Sequence, residues 1–199
     1  MAGELLLATV RHVWAALKAL HVDAALMGGI AVAAWQHVRN TRDVDVLVGV
    51  RPPDDPQFLD QLKKAGFKFL RDPPILFLGD SRILQLSYEP PGKFLDVRVD
   101  LFFADTELHR SALERRIEIT LPGMDEPTSI LSCEDLILMK LLAGRLLDKS
   151  DAAYLLRFNK DELDLEYLRR WAAQLSLDGE LTLAWNEAFS DSPPGDPCG

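Results

Sequence analysis

Two aspartates that alternate with valines are the first residues whose types and spacing could do chemistry. In the run Asp43-Val-Asp45-Val, the spacing of two is typical of a β-strand, whose successive side chains point to opposite faces. The two carboxylates are therefore predicted to share one face. Adjacent carboxylates repel each other, so keeping both ionised requires water, a basic partner or a cation. Mg²⁺ is the obvious candidate, because it is typically held by one or two carboxylates together with substrate phosphates.

A third carboxylate is available on a later strand. Residues 93–103 alternate in the same way, so Asp96 and Asp100 are predicted to lie on one face of that strand. If this strand pairs with the one that carries Asp43 and Asp45, a further carboxylate comes within reach of a shared metal ion. The pattern is consistent with either Asp96 or Asp100 in that position.

The pair Gly28-Gly29 precedes these aspartates and separates two predicted elements. The apolar run 22–27 predicts a short strand, and residues 30–37 predict a helix. Two glycines between them allow a tight bend, including one with positive φ. N–H groups at the start of the following helix suit an anionic phosphate. A phosphate site and a metal site are thus expected side by side.

Lys140 is the only charged residue in the interior of an apolar helix. Residues 134–145 are apolar on nearly every side and are predicted to be buried against the sheet. A buried ammonium is costly unless it reaches water or pairs with an anion. A triphosphate or the carboxylate cluster would serve as that anion, and a purely structural ion pair is the alternative. Asp148 and Asp151 are interpreted either as helix-capping residues or as catalytic groups.

The elements that would position these residues follow a simple order. Apolar residues with helical spacing predict a helix over residues 4–20, and a further helix is predicted over residues 56–65. Short apolar or alternating runs between residues 67 and 131 predict strands and hairpins. From Ser132 onwards the pattern is helical. The predicted fold class is α/β (α+β), a mixed sheet with flanking helices followed by a C-terminal helical bundle.

The same pattern predicts the domain organisation. We expect an α/β core over residues 1–131 and a helical region packed on it over residues 132–191. Residues 192–199, which contain three prolines and two glycines, are predicted to be a disordered tail.

Together these motifs resemble the DNA polymerase β-type nucleotidyltransferase superfamily, and within it the minimal members of the AbiEii toxin type. The likeness covers roughly residues 24–156. The matching residues are Gly28-Gly29, the run Arg39-Asn-Thr41-Arg-Asp43-Val-Asp45, the strand Val99-Asp100-Leu101, the run from Glu134 through Lys140 and Gly144 to Arg145, and Asp148 with Asp151.

The resemblance implies a nucleotidyltransferase-like fold and a role for most of the matching residues. Asp43, Asp45 and Asp100 would be the catalytic carboxylates that hold Mg²⁺, and the likeness favours Asp100 over Asp96 as the third of them. The nucleotide would be bound by Gly28, Gly29, Arg39, Thr41 and Lys140. The roles of Arg145, Asp148 and Asp151 are left open.

The activity that the resemblance implies is Mg²⁺-dependent transfer of NMP from an NTP, such as ATP, to a hydroxyl acceptor, with release of pyrophosphate. The acceptor would be a tRNA, a protein or a small molecule. The protein would in one version be the toxin of a toxin–antitoxin pair, with an antitoxin protein as its partner. The alternative is a non-catalytic, regulatory nucleotide-binding module with the same fold.

Composition and charge limit these possibilities. A chain of 199 residues with 48% apolar and 27% charged residues is typical of a globular protein, and no apolar run reaches the ~18 residues of a membrane span. The N-terminus has no basic start or cleavage signature, so a cytoplasmic location is expected. The net charge of −9 is the wrong sign for a broad basic surface, so an RNA acceptor would be held weakly by a few basic residues. Two cysteines and four scattered histidines argue against zinc.

Overall fold

One mixed sheet of eight strands organises the first part of the chain in the computed structural model, which describes residues 2–37, 40–50 and 55–190. The strands are β1 (Ala24–Leu26), β2 (Asp43–Val48), β3 (Lys68–Phe69), β4 (Ile75–Leu78), β5 (Ser81–Tyr88), β6 (Val97–Phe103), β7 (Ile117–Ile119) and β8 (Thr128–Ile130). The strand order is β3-β5-β6-β2-β1-β8-β7, and β4 also pairs with β5.

The centre of the sheet is the parallel pair β2 and β6. Six residues of each strand are in register, from Asp43 opposite Arg98 to Val48 opposite Phe103. Parallel strands are usually covered on both faces, and the last three residues of β2 are accordingly inaccessible to solvent. Only its first half keeps partly exposed residues, at Asp43 and Asp45. The end of β2 that carries the two aspartates is thus the end that is accessible to solvent.

Four helices accompany the sheet. They are α1 (Ala2–Ala19), α2 (Gly28–Ala34), α3 (Pro56–Lys64) and α4 (Glu107–Glu114). The first packs on β2 and β6 through a stripe of buried residues at helical spacing, Val10, Val13 and Leu17. The Asp55 side chain caps α3 by accepting a hydrogen bond from the Gln57 N–H at 3.0 Å, with Pro56 in the first turn.

The described residues divide into two compact units. The first takes in the described residues of Met1–Ala34 and Val38–Ser132, and the second takes in Trp35–His37 and the described residues of Cys133–Gly199. The second unit contains the helices α5 (Cys133–Ala143), α6 (Leu146–Asn159), α7 (Leu165–Gln174) and α8 (Asp178–Phe189). Within it α5 packs on α6 and α7, and α8 packs on α6 and α7.

The predicted fold class is confirmed, whereas several element boundaries differ. The strand predicted over residues 93–103 begins only at Val97, because Val97 pairs with Tyr88 at the end of β5 and the preceding residues have no strand beside them among the described pairs. Phe94 accordingly is 95% exposed. The helix predicted over residues 30–37 already includes both glycines and ends at Ala34, and Gln36 takes a left-handed conformation with φ of 69°.

Two predictions fall on residues that the structure does not describe, namely the disordered tail over residues 192–199 and the nucleotide contact of Arg39. Within the described ranges, no helix combines the length and apolar character that crossing a bilayer requires.

Candidate active site

The three predicted catalytic aspartates lie on the adjacent strands β2 and β6. In the register of this parallel pair Asp45 is directly opposite Asp100, and Asp43 is opposite Arg98. Residues opposite each other on neighbouring strands point to the same face, about 4.8 Å apart. Because Asp43 and Asp45 are two residues apart, all three carboxylates belong to one face of the sheet.

Asp96, the alternative third carboxylate, lies outside the paired residues of β2 and β6. It precedes β6, and its carboxylate contacts the Lys68 ammonium at 3.5 Å and the Ser87 hydroxyl at 3.4 Å. The residue that the register places opposite Asp45 is therefore Asp100, not Asp96.

Arg98 holds the Asp100 carboxylate in a two-pronged hydrogen bond. Its Nε donates to Oδ1 at 2.9 Å and its Nη2 donates to Oδ2 at 2.7 Å. The Asp100 side chain is 8% exposed and that of Arg98 is 49% exposed. The hydrogen bond to Asp100 raises the pKa of Arg98 despite partial burial, and the charges of Asp100, Asp43 and Asp45 act in the same direction. One guanidinium thus interacts with all three carboxylates.

The diglycine bend lies directly against Asp45. Gly28 has φ of 60°, and a Cβ on this residue would collide with the Asp45 carboxylate. The Met27 N–H also donates to the Asp45 carbonyl at 2.9 Å, which ties the bend to β2. Gly29 follows as a buried residue of α2. The bend and the carboxylates therefore form one continuous local arrangement.

Thr41 lies just before β2 and orients the first carboxylate. Its hydroxyl donates to Asp43 Oδ1 at 3.1 Å. The structure therefore places Thr41 beside a predicted metal ligand, whereas the family resemblance implies a contact with the nucleotide.

The donor chemistry of this face suits a hard divalent cation, but the side chains are not gathered around one point. Among the described residues no group of three or more His, Cys, Asp or Glu side chains is arranged to hold a metal ion. Mg²⁺ needs only one or two carboxylates when phosphates and water complete its shell, and Asp43 and Asp45 meet that requirement. At Asp100 both oxygens already accept hydrogen bonds from Arg98.

Lys140 lies in the second unit, where two aspartates of α6 pair with it. Its ammonium is 2.9 Å from Asp148 Oδ1 and 2.8 Å from Asp151 Oδ2, and the side chain is 7% exposed. Burial by itself would raise the pKa of Asp148, yet the hydrogen bonds from Arg145 and Lys140 lower it. Lys140 thus has the anionic partners that its burial requires without a triphosphate. Its predicted contact with phosphate stays a prediction.

His37 joins the same group of charges. Its Nε2 is 3.5 Å from Asp151 Oδ1, and its ring stacks on Tyr154 with centroids 4.1 Å apart. No sequence pattern predicts this contact, since His37 and Asp151 are far apart in the chain. The position of Arg98 was partly predictable, because strand alternation puts it on the same face as Asp100. The pattern does not show, however, that its side chain pairs with Asp100.

Two solved structures resemble this one over most of both chains. An antigenic nucleotidyltransferase-like protein from Paracoccidioides brasiliensis is 20% identical, with 89% of this chain and 91% of that chain covered and a TM-score of 0.50. The antibiotic-resistance factor ANT(2″)-Ia is 14% identical, with 88% and 93% covered and a TM-score of 0.57. No protein-family model matches the chain, and no curated protein matches it in sequence. The likenesses show that this chain has the nucleotidyltransferase fold.

Proposed function

We propose that the protein is a Mg²⁺-dependent nucleotidyltransferase that moves NMP from an NTP to a hydroxyl acceptor and releases pyrophosphate. The observation that supports this most is the register of β2 and β6, which sets Asp45 opposite Asp100 with Asp43 on the same face. The bend at Gly28, packed against Asp45, adds a glycine backbone beside the carboxylates. The proposal also includes a closer relationship to AbiEii-type proteins and a role as a toxin with an antitoxin partner. These two parts are supported by the sequence motifs alone.

In the proposed reaction the acceptor oxygen attacks the α-phosphorus, and the bond from this phosphorus to the bridging oxygen breaks. Pyrophosphate leaves with the electron pair of that bond, and the acceptor proton passes to a carboxylate, for which Asp100 is our candidate. Asp43, Asp45 and Asp100 would hold Mg²⁺, which when bound supplies positive charge to the triphosphate and lowers the pKa of the acceptor hydroxyl. Thr41 fixes the Asp43 carboxylate for this role.

The test is transfer of label from each α-³²P-labelled NTP, with Mg²⁺, into a total-cell extract that is then fractionated by size. The wild-type protein is expected to label one class of acceptor. Asp45→Asn and Asp100→Asn are each expected to lower the rate at least about 100-fold. Asp96→Asn is the matched control, because this carboxylate is nearby in sequence but contacts Lys68 and precedes the strand that pairs with β2. Absence of labelling by the wild type with all four NTPs, or equal rates for Asp45→Asn and wild type, contradicts the proposal.

A non-catalytic nucleotide-binding module is the second candidate, and one observation favours it. Both oxygens of Asp100 accept hydrogen bonds from Arg98, so this carboxylate is occupied in the structure. If the module interpretation is right, ATP binds without release of pyrophosphate, and Asp45→Asn leaves that binding unchanged. Measuring ATP affinity and pyrophosphate release on the same sample separates the two functions.

A further inference from the structure

The two hydrogen bonds from the Arg98 guanidinium to the Asp100 carboxylate, called the fork below, cover a carboxylate that is nearly buried. The Asp100 side chain is only 8% exposed, whereas half of the Arg98 side chain faces solvent. Both residues are on β6 and two positions apart, so the guanidinium lies along the same face as the carboxylate. The guanidinium therefore lies against both oxygens of a carboxylate that is nearly inaccessible to solvent.

The position of Arg98 also makes it a counter-ion for the neighbouring strand. The register places it opposite Asp43, one strand away, and next to the Asp45–Asp100 pair. An arginine cannot be deprotonated in a protein, so its charge is permanent. A planar guanidinium that satisfies both oxygens of a carboxylate is moreover a strong, geometrically specific partner.

We propose that Arg98 occupies the place of a divalent cation at Asp100, so that metal binding to this carboxylate requires the fork to open. This inference rests on the proposed function, which supplies the need for the cation. The consequence is a site whose three negative charges are offset by one positive charge in the absence of an ion, and that binds its ion more weakly than the three carboxylates alone would. Arg98 is then a residue that sets metal affinity, without itself being a metal ligand.

The experiment is a titration of the purified full-length chain with Mn²⁺ alone, following free Mn²⁺ by electron paramagnetic resonance. Arg98→Met keeps much of the side-chain volume but removes the charge and both hydrogen bonds, and it is expected to raise Mn²⁺ affinity about tenfold or more. Arg98→Lys keeps the charge but cannot form the fork, so a smaller rise is expected. In the double variant Arg98→Met/Asp100→Asn the gain is expected to disappear.

The matched control is Arg82→Met. Arg82 makes the same kind of fork with Asp105, with Nε donating to Oδ2 at 2.8 Å, and both residues are remote from Asp43 and Asp45 in the register. Its removal is expected to leave Mn²⁺ affinity unchanged. An equal gain in Arg82→Met would show that the effect comes from net charge alone, and would overturn the proposal.

The outcomes separate this inference from the proposed function. If the wild type binds Mn²⁺ in an Asp100-dependent way and Arg98→Met binds it equally well, Arg98 does not compete and the inference is wrong while the metal site stands. If neither protein binds Mn²⁺ in this titration, the inference fails, and if the wild type also labels no acceptor in the transfer assay, the proposed function fails as well. Circular dichroism checks folding, and Arg98→Lys decides the matter if Arg98→Met does not fold.

Discussion

Gly28 shows how one residue can link the backbone of a bend to the geometry of a carboxylate. Its left-handed conformation is one that residues with a Cβ rarely adopt, and the space where a Cβ would lie is filled by the Asp45 carboxylate. Two separate requirements therefore favour glycine at this position. They can be measured apart, because other glycines of the chain meet only the first.

Gly28→Ala is expected to cost about 1 kcal/mol for the backbone conformation and about 1–3 kcal/mol more for the displaced carboxylate. Gly79→Ala is the matched control, because Gly79 has φ of 57° and no atom within 4 Å of an added Cβ. It should cost only the first amount. Free energies of unfolding from urea denaturation give both numbers, and equal losses in the two variants would show that Asp45 does not fill this space in solution.

At the scale of single residues, strand alternation carried most of the sequence prediction. Asp43, Asp45 and Asp100 could be placed on one face because side chains in a strand have a period of two, and the structure pairs the two strands in the register that this needs. The fork of Arg98 could not be predicted, because alternation fixes the face of a side chain but not its rotamer or its partner. The approach of Gly28 to Asp45 likewise depends on how the bend packs, which no local pattern encodes.

Helices α5 and α6 are connected by ion pairs between Lys140 and two aspartates. The sequence predicted that Lys140 needs an anionic partner but not which residues provide it. The partners are Asp148 and Asp151 of α6, whose side chains are 2% and 0% exposed. The capping interpretation of Asp148 and Asp151 is replaced by this pairing, since both carboxylates contact Lys140. Buried pairs of this kind contribute little net stability when intact, but they are expensive to break by removing one partner.

Lys140→Met is therefore expected to lower the free energy of unfolding by about 3–5 kcal/mol, because it removes the one ammonium that both buried carboxylates share and leaves Asp148 with Arg145. Lys64→Met is the matched control, since Lys64 pairs with Asp60 at 2.7 Å across exposed positions of α3. Its loss should be below about 1 kcal/mol. Adding Asp148→Asn and Asp151→Asn to Lys140→Met should restore part of the stability. Similar losses in the two lysine variants would contradict the buried pairing.

Elements with strong periodicity were predictable, and short ones were not. The helix predicted over residues 56–65 corresponds to α3 (Pro56–Lys64), and the helical pattern from Ser132 onwards corresponds to α5 through α8. Helix α4 was missed, because its eight residues are few and its start depends on Thr106, whose side chain accepts a hydrogen bond from the His109 N–H. The late start of β6 reflects the length of its neighbours, a tertiary property that the alternating pattern of residues 93–103 does not contain.

The charge of the whole molecule bears on the acceptor, which the fold leaves open. A net charge of −9 gives no broad basic surface for a polyanion. The structure further reduces the cations that could hold RNA, because Lys140 is buried between two aspartates and Arg145 contacts Asp148. Arg42, which is exposed just before β2, is the basic residue best placed in sequence to contact an acceptor near the carboxylates.

Any association with tRNA should therefore be weak at about 50 mM salt and lost by about 200 mM, because a few phosphate contacts release few counterions and give little affinity. Fluorescence anisotropy of labelled tRNA measures this directly. Arg42→Gln should remove most of the residual binding, whereas Lys64→Gln, on the exposed face of α3, should not. Tight binding that persists at about 200 mM salt would contradict the charge argument and would favour RNA as the acceptor. Its absence directs the search for the labelled product to the small-molecule and protein fractions.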